Sequence, residues 1–158
     1  MTALGVFRDD FYNAISVLEQ TQVIGTSQTS GVLAASLLAG AADCYINSSG
    51  ATALTTDSAI NIIAQIQIAV ANAYKQGLGA FAAGINPPPG VPNLFNVSWT
   101  LTILNFNGGT LAITGGTGVT IIGGPSSIIT SNARVFQMLV TSPTTITMVS
   151  MYSYIIAA

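Results

Sequence analysis

The C-terminal part of the chain alternates between apolar and polar residues, in short runs that glycine-rich turns separate. From Val97 to Ile103 apolar residues recur at every second position, which is the period of a β-strand. Asn107-Gly-Gly109 and Gly115-Gly116 are turn signals, and an apolar run follows each of them. Short strands with closely spaced turns predict a small antiparallel β-sandwich or barrel over residues 94–158.

The last two predicted strands, 134–141 and 144–156, differ from the others because both of their faces are apolar. In most antiparallel sheets one face meets the core and the other meets water, so a strand that is apolar on both faces is covered on both. The cover is either another chain or the helix and N-terminal segment of the same chain. We take three residues of the final strand as candidates for contacts between subunits: Met148, Tyr152 and Tyr154.

Residues 55–77 have the pattern of a long helix. Thr55 or Thr56 is suited to cap its N-terminus, and Gly77 is suited to end it. Apolar residues recur at alternating spacings of four and three, which forms a stripe along one side of the helix. The stripe faces either the core of the same chain or the same helix of a symmetry-related copy. We take it as a second candidate for subunit contacts: Ala59, Ile63, Ile66, Val70 and Ala73.

These patterns predict a mainly β fold with one long helix, of the α+β class, in four consecutive segments. Residues 1–54 form a mixed N-terminal segment, and residues 55–77 form the helix. A connector rich in glycine and proline follows at 78–93, and the β domain occupies 94–158. Proline has no backbone N–H and cannot continue a helix, so the connector is expected to be extended.

Charged residues are scarce, which changes the interpretation of the surface. The chain has 158 residues, of which three are Lys or Arg and five are Asp or Glu, while half are hydrophobic. Soluble proteins ordinarily carry charge on about a quarter of their residues. Either the hydroxyl groups of threonine and serine hydrate this surface, or neighbouring subunits cover much of it. The second explanation is favoured because the centres of stable interfaces are depleted in charge.

Several classes of function are excluded by what the sequence lacks. The longest apolar run, 32–42, is shorter than the ~20 residues that span a bilayer as a helix, so no membrane partner is expected. Three basic residues are too few for a nucleic-acid footprint. Histidine is absent, which excludes Ser-His-Asp systems and most zinc sites. The chain is predicted to be no enzyme and to use no cofactor, metal or small-molecule substrate.

Two stretches carry a resemblance to a known family. Residues 54–66, Leu-Thr-Thr-Asp-Ser-Ala-Ile-Asn-Ile-Ile-Ala-Gln-Ile, resemble a segment of the capsid decoration (cement) and head-fibre-associated proteins of tailed bacteriophages. The Gly/Thr-rich run 107–124, followed by Phe136, Val140-Thr-Ser142 and Thr145-Ile-Thr147, is similar to the small β domains of those proteins. Both stretches lie within residues 54–158, which make up about two thirds of the chain.

The resemblance implies a virion structural protein on the capsid surface, assembled in the host cytoplasm. Its expected partners are further copies of itself, as a homotrimer, and the major capsid protein, which it would bridge and so stabilise the shell. The N-terminal segment is the candidate for docking onto the capsid, through Arg8, Asp9, Asp10 and Phe11. The alternative is a phage fibre or receptor-binding accessory module.

Overall fold

The described residues are mostly β-structure, in two sheets that both combine parallel and antiparallel neighbours. The computed structural model describes residues 21–24, 30–38, 43–75, 94 and 96–156. Two helices lie within these residues, α1 (Ala35–Leu38) and α2 (Ala59–Lys75). The strands within them are β1 (Thr21–Ile24), β2 (Ser30–Leu33), β3 (Asp43–Ser48), β4 (Ala53–Thr56), β5 (Ser98–Asn105), β6 (Leu111–Thr114), β7 (Val119–Gly123), β8 (Ser127–Ile128), β9 (Asn132–Ser142) and β10 (Thr145–Ile155).

The first six strands alternate between the two sheets. The large sheet has the order β1–β3–β5–β9–β10–β7, and the small sheet has the order β2–β4–β6–β8. Within each sheet the first three of these strands are parallel to one another. Parallel neighbours need a crossover connection, and here each crossover passes through a strand of the other sheet. The chain then ends in the antiparallel hairpin β9–β10.

The predicted predominance of β-structure is confirmed, but the prediction of an antiparallel sandwich or barrel is wrong in two respects. Five of the eight strand pairings in the described residues are parallel, and the described strands do not close into a barrel. Alternation along a strand indicates its buried face but not its neighbour. One of the two neighbours of β5 is β3, where Asp43 lies opposite Thr100, so the large sheet combines strands from before and after α2, as the small sheet does.

Apolar side chains from both sheets and from α2 form one buried cluster. The large sheet contributes residues that alternate along its central strands, including Leu101, Ile103, Phe136, Met138, Ile146 and Met148. The small sheet contributes Leu54, Leu111, Ile113 and Ile128. The opposite side of α2 remains exposed at Ile60 and Ile68, so the part of this helix whose side chains are described, 59–68, packs against the core along one side.

A buried asparagine joins the two sheets at the end of β5. Asn105 is fully buried, and its Nδ2 donates hydrogen bonds of 2.8 Å to the carbonyl oxygens of Gly109 and Ile128. Its Oδ1 accepts a hydrogen bond of 2.9 Å from the Asn107 N–H. Buried amides are costly unless they are paired, and this one is paired at both ends, so its role is structural.

Helix α2 begins later than predicted, because the predicted caps belong to a strand. Thr55 and Thr56 lie in β4, and the cap is Ser58, whose Oγ accepts a 3.3 Å hydrogen bond from the Asn61 N–H. Asp57 joins the start of α2 to the start of α1 through hydrogen bonds to its carboxylate. Its Oδ1 accepts hydrogen bonds from Asn61 Nδ2 at 2.8 Å and from the Ser58 N–H at 2.6 Å, and its Oδ2 accepts one from the Ala35 N–H at 3.3 Å.

The hydrogen bonds of Asp57 also determine how it titrates. The pKa of Asp57 is lowered from its ordinary value of 3.8, chiefly by the hydrogen bond from Asn61, while burial acts in the opposite direction and the amides of Ser58 and Ala35 lower it further. Because the folded-state pKa is below the unfolded-state value, the carboxylate stabilises the fold above about pH 3.8. This stabilisation is lost as the pH falls through the folded-state pKa.

Replacing Asp57 with asparagine is therefore expected to lower the free energy of unfolding by about 1 kcal/mol at neutral pH, because hydrogen bonds to a carboxylate are stronger than those to an amide. The difference between the two proteins should shrink towards zero as the pH falls well below 3.8. Urea unfolding, followed by the fluorescence of the single tryptophan Trp99, measures the free energy of unfolding of both proteins. A difference that stays constant from neutral to strongly acidic pH would contradict this role for the charge.

Candidate interaction surface

The last part of β10 extends beyond its neighbour on one side and forms a free sheet edge. β7 pairs with β10 from Ile146 to Ser150, whereas β9 pairs with β10 as far as Ile155. Past Ser150, no strand in the described part of the chain lies on the side of β10 away from β9. We call Met151–Ile155 the terminal segment of β10.

Every residue of the terminal segment is exposed. The exposed fractions of its large side chains are 51% for Met151, 60% for Tyr152, 42% for Tyr154 and 79% for Ile155. Single exposed apolar residues are ordinary on protein surfaces, but contiguous apolar patches mark sites of interaction. Four large apolar or aromatic side chains in five consecutive residues are thus exposed, and they lie on both faces of the strand.

A β-bulge determines which way these side chains face. Ser150 lies opposite Phe136, but Tyr152 lies opposite the adjacent residue Val135, so Met151 is an extra residue in β10. Before the bulge, Ile146, Met148 and Ser150 are buried on the core side. After the bulge the alternation is reversed, which places Tyr152 and Tyr154 on the outer face of the large sheet.

The bulge corrects the prediction that Met148, Tyr152 and Tyr154 form one surface. Met148 is fully buried in the core, whereas the two tyrosines are exposed on the opposite face. Uniform alternation, which was the basis of the prediction, would have placed all three on one face. On the outer face the tyrosines lie opposite the buried residues Val135 and Ala133 of β9.

The backbone of the terminal segment also has unused hydrogen-bonding capacity at the edge. The Ile156 N–H donates to the Ser131 carbonyl at 2.8 Å, on the β9 side. Because backbone groups of successive residues point to alternate sides of a strand, those of Ser153 and Ile155 point away from β9. Edge strands are usually protected by charges or proline, and β10 contains neither.

The helical stripe predicted to contact other subunits instead packs inside the chain. Ala59 and Ile66 are fully buried and Ile63 is 4% exposed, all within the core cluster. These three residues are therefore not available to a partner, which corrects the prediction. Val70 and Ala73 lie in α2, but their side chains are outside the described part of the structure. Arg8, Asp9, Asp10 and Phe11, predicted to dock on a capsid, also lie outside the described residues.

The described ranges contain no group of three or more His, Cys, Asp or Glu residues that could hold a metal ion, and none of their helices is long and apolar enough to cross a membrane. Comparison of the chain with known protein families, curated proteins and solved structures finds no match.

Proposed function

We propose that this protein is a non-catalytic structural subunit of a virus particle, which works by packing against other copies of itself and against a protein shell. One observation carries the proposal, the terminal segment of β10, which is apolar, uncharged and exposed on its faces and its edge. Such an edge is prone to pair with a strand of another chain, and so to aggregate, unless another part of an assembly covers it. A structural subunit is covered when it assembles.

A second copy of the same chain is the proposed cover. Among residues 76–158 the only charged residue is Arg134, which offers little for a partner chosen by complementary charge. Tyrosine is enriched at the energetic centres of interfaces, and Tyr152 and Tyr154 lie side by side on one face. An apolar patch with an open edge is suited to an uncharged, apolar surface of another copy.

The proposed assembly is the homotrimer that the resemblance to phage decoration proteins implies. A self-complementary contact gives a two-fold dimer, while a contact between two different patches closes into a ring when the rotation permits. The trimer therefore requires the terminal segment to meet a different surface of the next copy. The two sheets share one core cluster with α2, which supports a two-layer β-sandwich as the body of each subunit.

The proposed action on the capsid is mechanical. A standard interface buries ~1,600 Å², which corresponds to a large gross hydrophobic term at ~25 cal/mol per Å², although association entropy offsets much of it. A trimer bound to several capsid subunits dissociates slowly, because all of its contacts must open together. The segment around Arg8, Asp9, Asp10 and Phe11 is the proposed attachment point.

Quantitative mass spectrometry of purified particles from the host that carries this gene tests the proposal. A decoration protein is expected at a copy number comparable to that of the major capsid protein, and particles that lack it should lose their contents at a lower temperature. A few copies per particle would instead support the fibre or receptor-binding module. Absence of the chain from particles would refute both.

A further inference from the structure

A small cavity lies on the core side of the β9–β10 hairpin, behind the terminal segment of β10. It has a volume of about 140 Å³, and its polar lining consists of Ser127, Asn132, Arg134 and Ser153. Pro125 and Ile128 supply part of its apolar wall. Since a water molecule occupies ~30 Å³ in the liquid, the cavity has room for a group of a few heavy atoms. We call it the Arg134 cavity.

Arg134 is partly buried here, and no counter-ion to it lies among the side chains that the structure describes. One terminal nitrogen, Nη1, donates a 3.1 Å hydrogen bond to Ser150 Oγ, and this hydroxyl in turn donates to the Pro125 carbonyl at 2.8 Å. The Nε of Arg134 is buried and has no hydrogen-bond partner in the described residues. Asp57, the acidic residue whose side chain is described, uses its oxygens at the start of α2.

The unpaired, buried Nε has a physical cost in this arrangement. A guanidinium has five N–H donors and is always charged, and a buried charge or donor without a partner is unfavourable. Register places Arg134 on the core side of the large sheet, because it lies opposite the buried Ile103. A solvated, paired arginine would need no further explanation, but a buried, unpartnered Nε in a side chain that lines a polar cavity does.

We propose that the Arg134 cavity binds a carboxylate. A carboxylate is planar and can accept two parallel hydrogen bonds from one guanidinium, and the hydroxyls of Ser127 and Ser153 and the amide of Asn132 offer further donors. A single positive charge balances a monoanion, whereas a phosphate dianion would need more positive charge than the described residues supply. The carboxylate belongs either to a small free acid or to an acidic side chain of a neighbouring subunit; the second source rests on the proposed function.

Thermal unfolding of the full chain in acetate tests the proposal, with chloride at equal ionic strength and acetamide as the neutral isostere. Acetate is expected to raise the melting temperature in a saturable way, while acetamide and chloride do not. Arg134→Met keeps the side-chain stem and removes the charge, and it should weaken acetate binding at least tenfold. Lys75→Met, which removes the positive charge of the last residue of α2, should leave acetate binding unchanged.

Arg134→Lys is the second variant, in case Arg134→Met does not fold. It keeps the charge but removes the Nε–H and the forked geometry, so acetate should bind more weakly than to the unmodified chain. If a neighbouring subunit supplies the carboxylate, acetate will instead compete with it and raise the dissociation constant of the assembly, as Arg134→Met will. The proposal is overturned if acetate changes neither melting nor association, or if it acts equally on the Arg134→Met and Lys75→Met variants.

Discussion

Replacing Gly116 with alanine is expected to lower the free energy of unfolding by about 3 kcal/mol or more, because the fold leaves no room for a side chain there. An added Cβ would overlap the carbonyl oxygen of Thr56 and would lie 2.7 Å from that of Asp57. Both obstacles are backbone atoms, so rotation of a side chain cannot relieve the overlap.

The turn that contains Gly116 also holds the start of α2 in place. The Gly116 N–H donates to Thr56 Oγ1 at 2.8 Å, and the Thr117 carbonyl accepts a 2.8 Å hydrogen bond from the Ala59 N–H. Moving the turn to accommodate a methyl group would stretch both bonds. The cost of Gly116→Ala is therefore expected to include lost hydrogen bonds as well as overlap.

Two other glycines supply matched controls. A Cβ added at Gly108 or Gly109 meets nothing within 4 Å, so alanine at either position should change the free energy of unfolding by less than about 0.5 kcal/mol. Urea unfolding followed by Trp99 fluorescence compares the three variants. Equal stability of Gly116→Ala and Gly108→Ala would show that the contact between this turn and β4 is not as described.

Replacing both Tyr152 and Tyr154 with lysine is expected to raise the dissociation constant of the assembly at least about a hundredfold. A charge buried in an interface without a partner costs ~2–5 kcal/mol, and each 1.4 kcal/mol corresponds to about a factor of ten. Both side chains are exposed in the single chain, so the fold of the subunit should be unaffected. Sedimentation velocity over a range of concentrations measures the dissociation constant.

The control for this double variant is lysine at two exposed apolar positions outside the terminal segment. Val32 and Ile60 are 62% and 57% exposed, so the double variant Val32→Lys, Ile60→Lys adds the same charge to the chain. Its association should match that of the unmodified protein. Equal weakening by both double variants would mean that the effect on association is not specific to the terminal segment of β10.

Local sequence patterns predicted the strands of the C-terminal half and the position of α2, because each depends on neighbouring residues. Local patterns could not predict which strands pair, because β3 and β5 are joined by contacts between residues that are far apart in the sequence. The helical stripe was predicted to contact another subunit, but periodicity cannot tell a partner's surface from the core of the same chain. Ala59, Ile63 and Ile66 turned out to face that core.

The terminal segment of β10 shows a second limit of prediction from sequence patterns. A single extra residue, Met151, reverses the alternation of β10 and moves Tyr152 and Tyr154 away from the face of Met148. No glycine or proline marks this bulge in the sequence, so it could not be foreseen. Arg134 did carry a signal, because it is the only charged residue after Lys75. Its place beside a cavity, however, depends on the packing of β8 against β9.

The mass of the unmodified protein in native solution at micromolar concentration is the most direct test of the claim that the exposed end of β10 is covered by another copy. A complex of three chains is predicted, each of 16.1 kDa. A dimer would agree with the claim that another copy covers the end of β10, but it would contradict the three-fold symmetry. A stable, soluble species with the mass of one chain would contradict the account, because Tyr152, Tyr154 and Ile155 would then remain in contact with water.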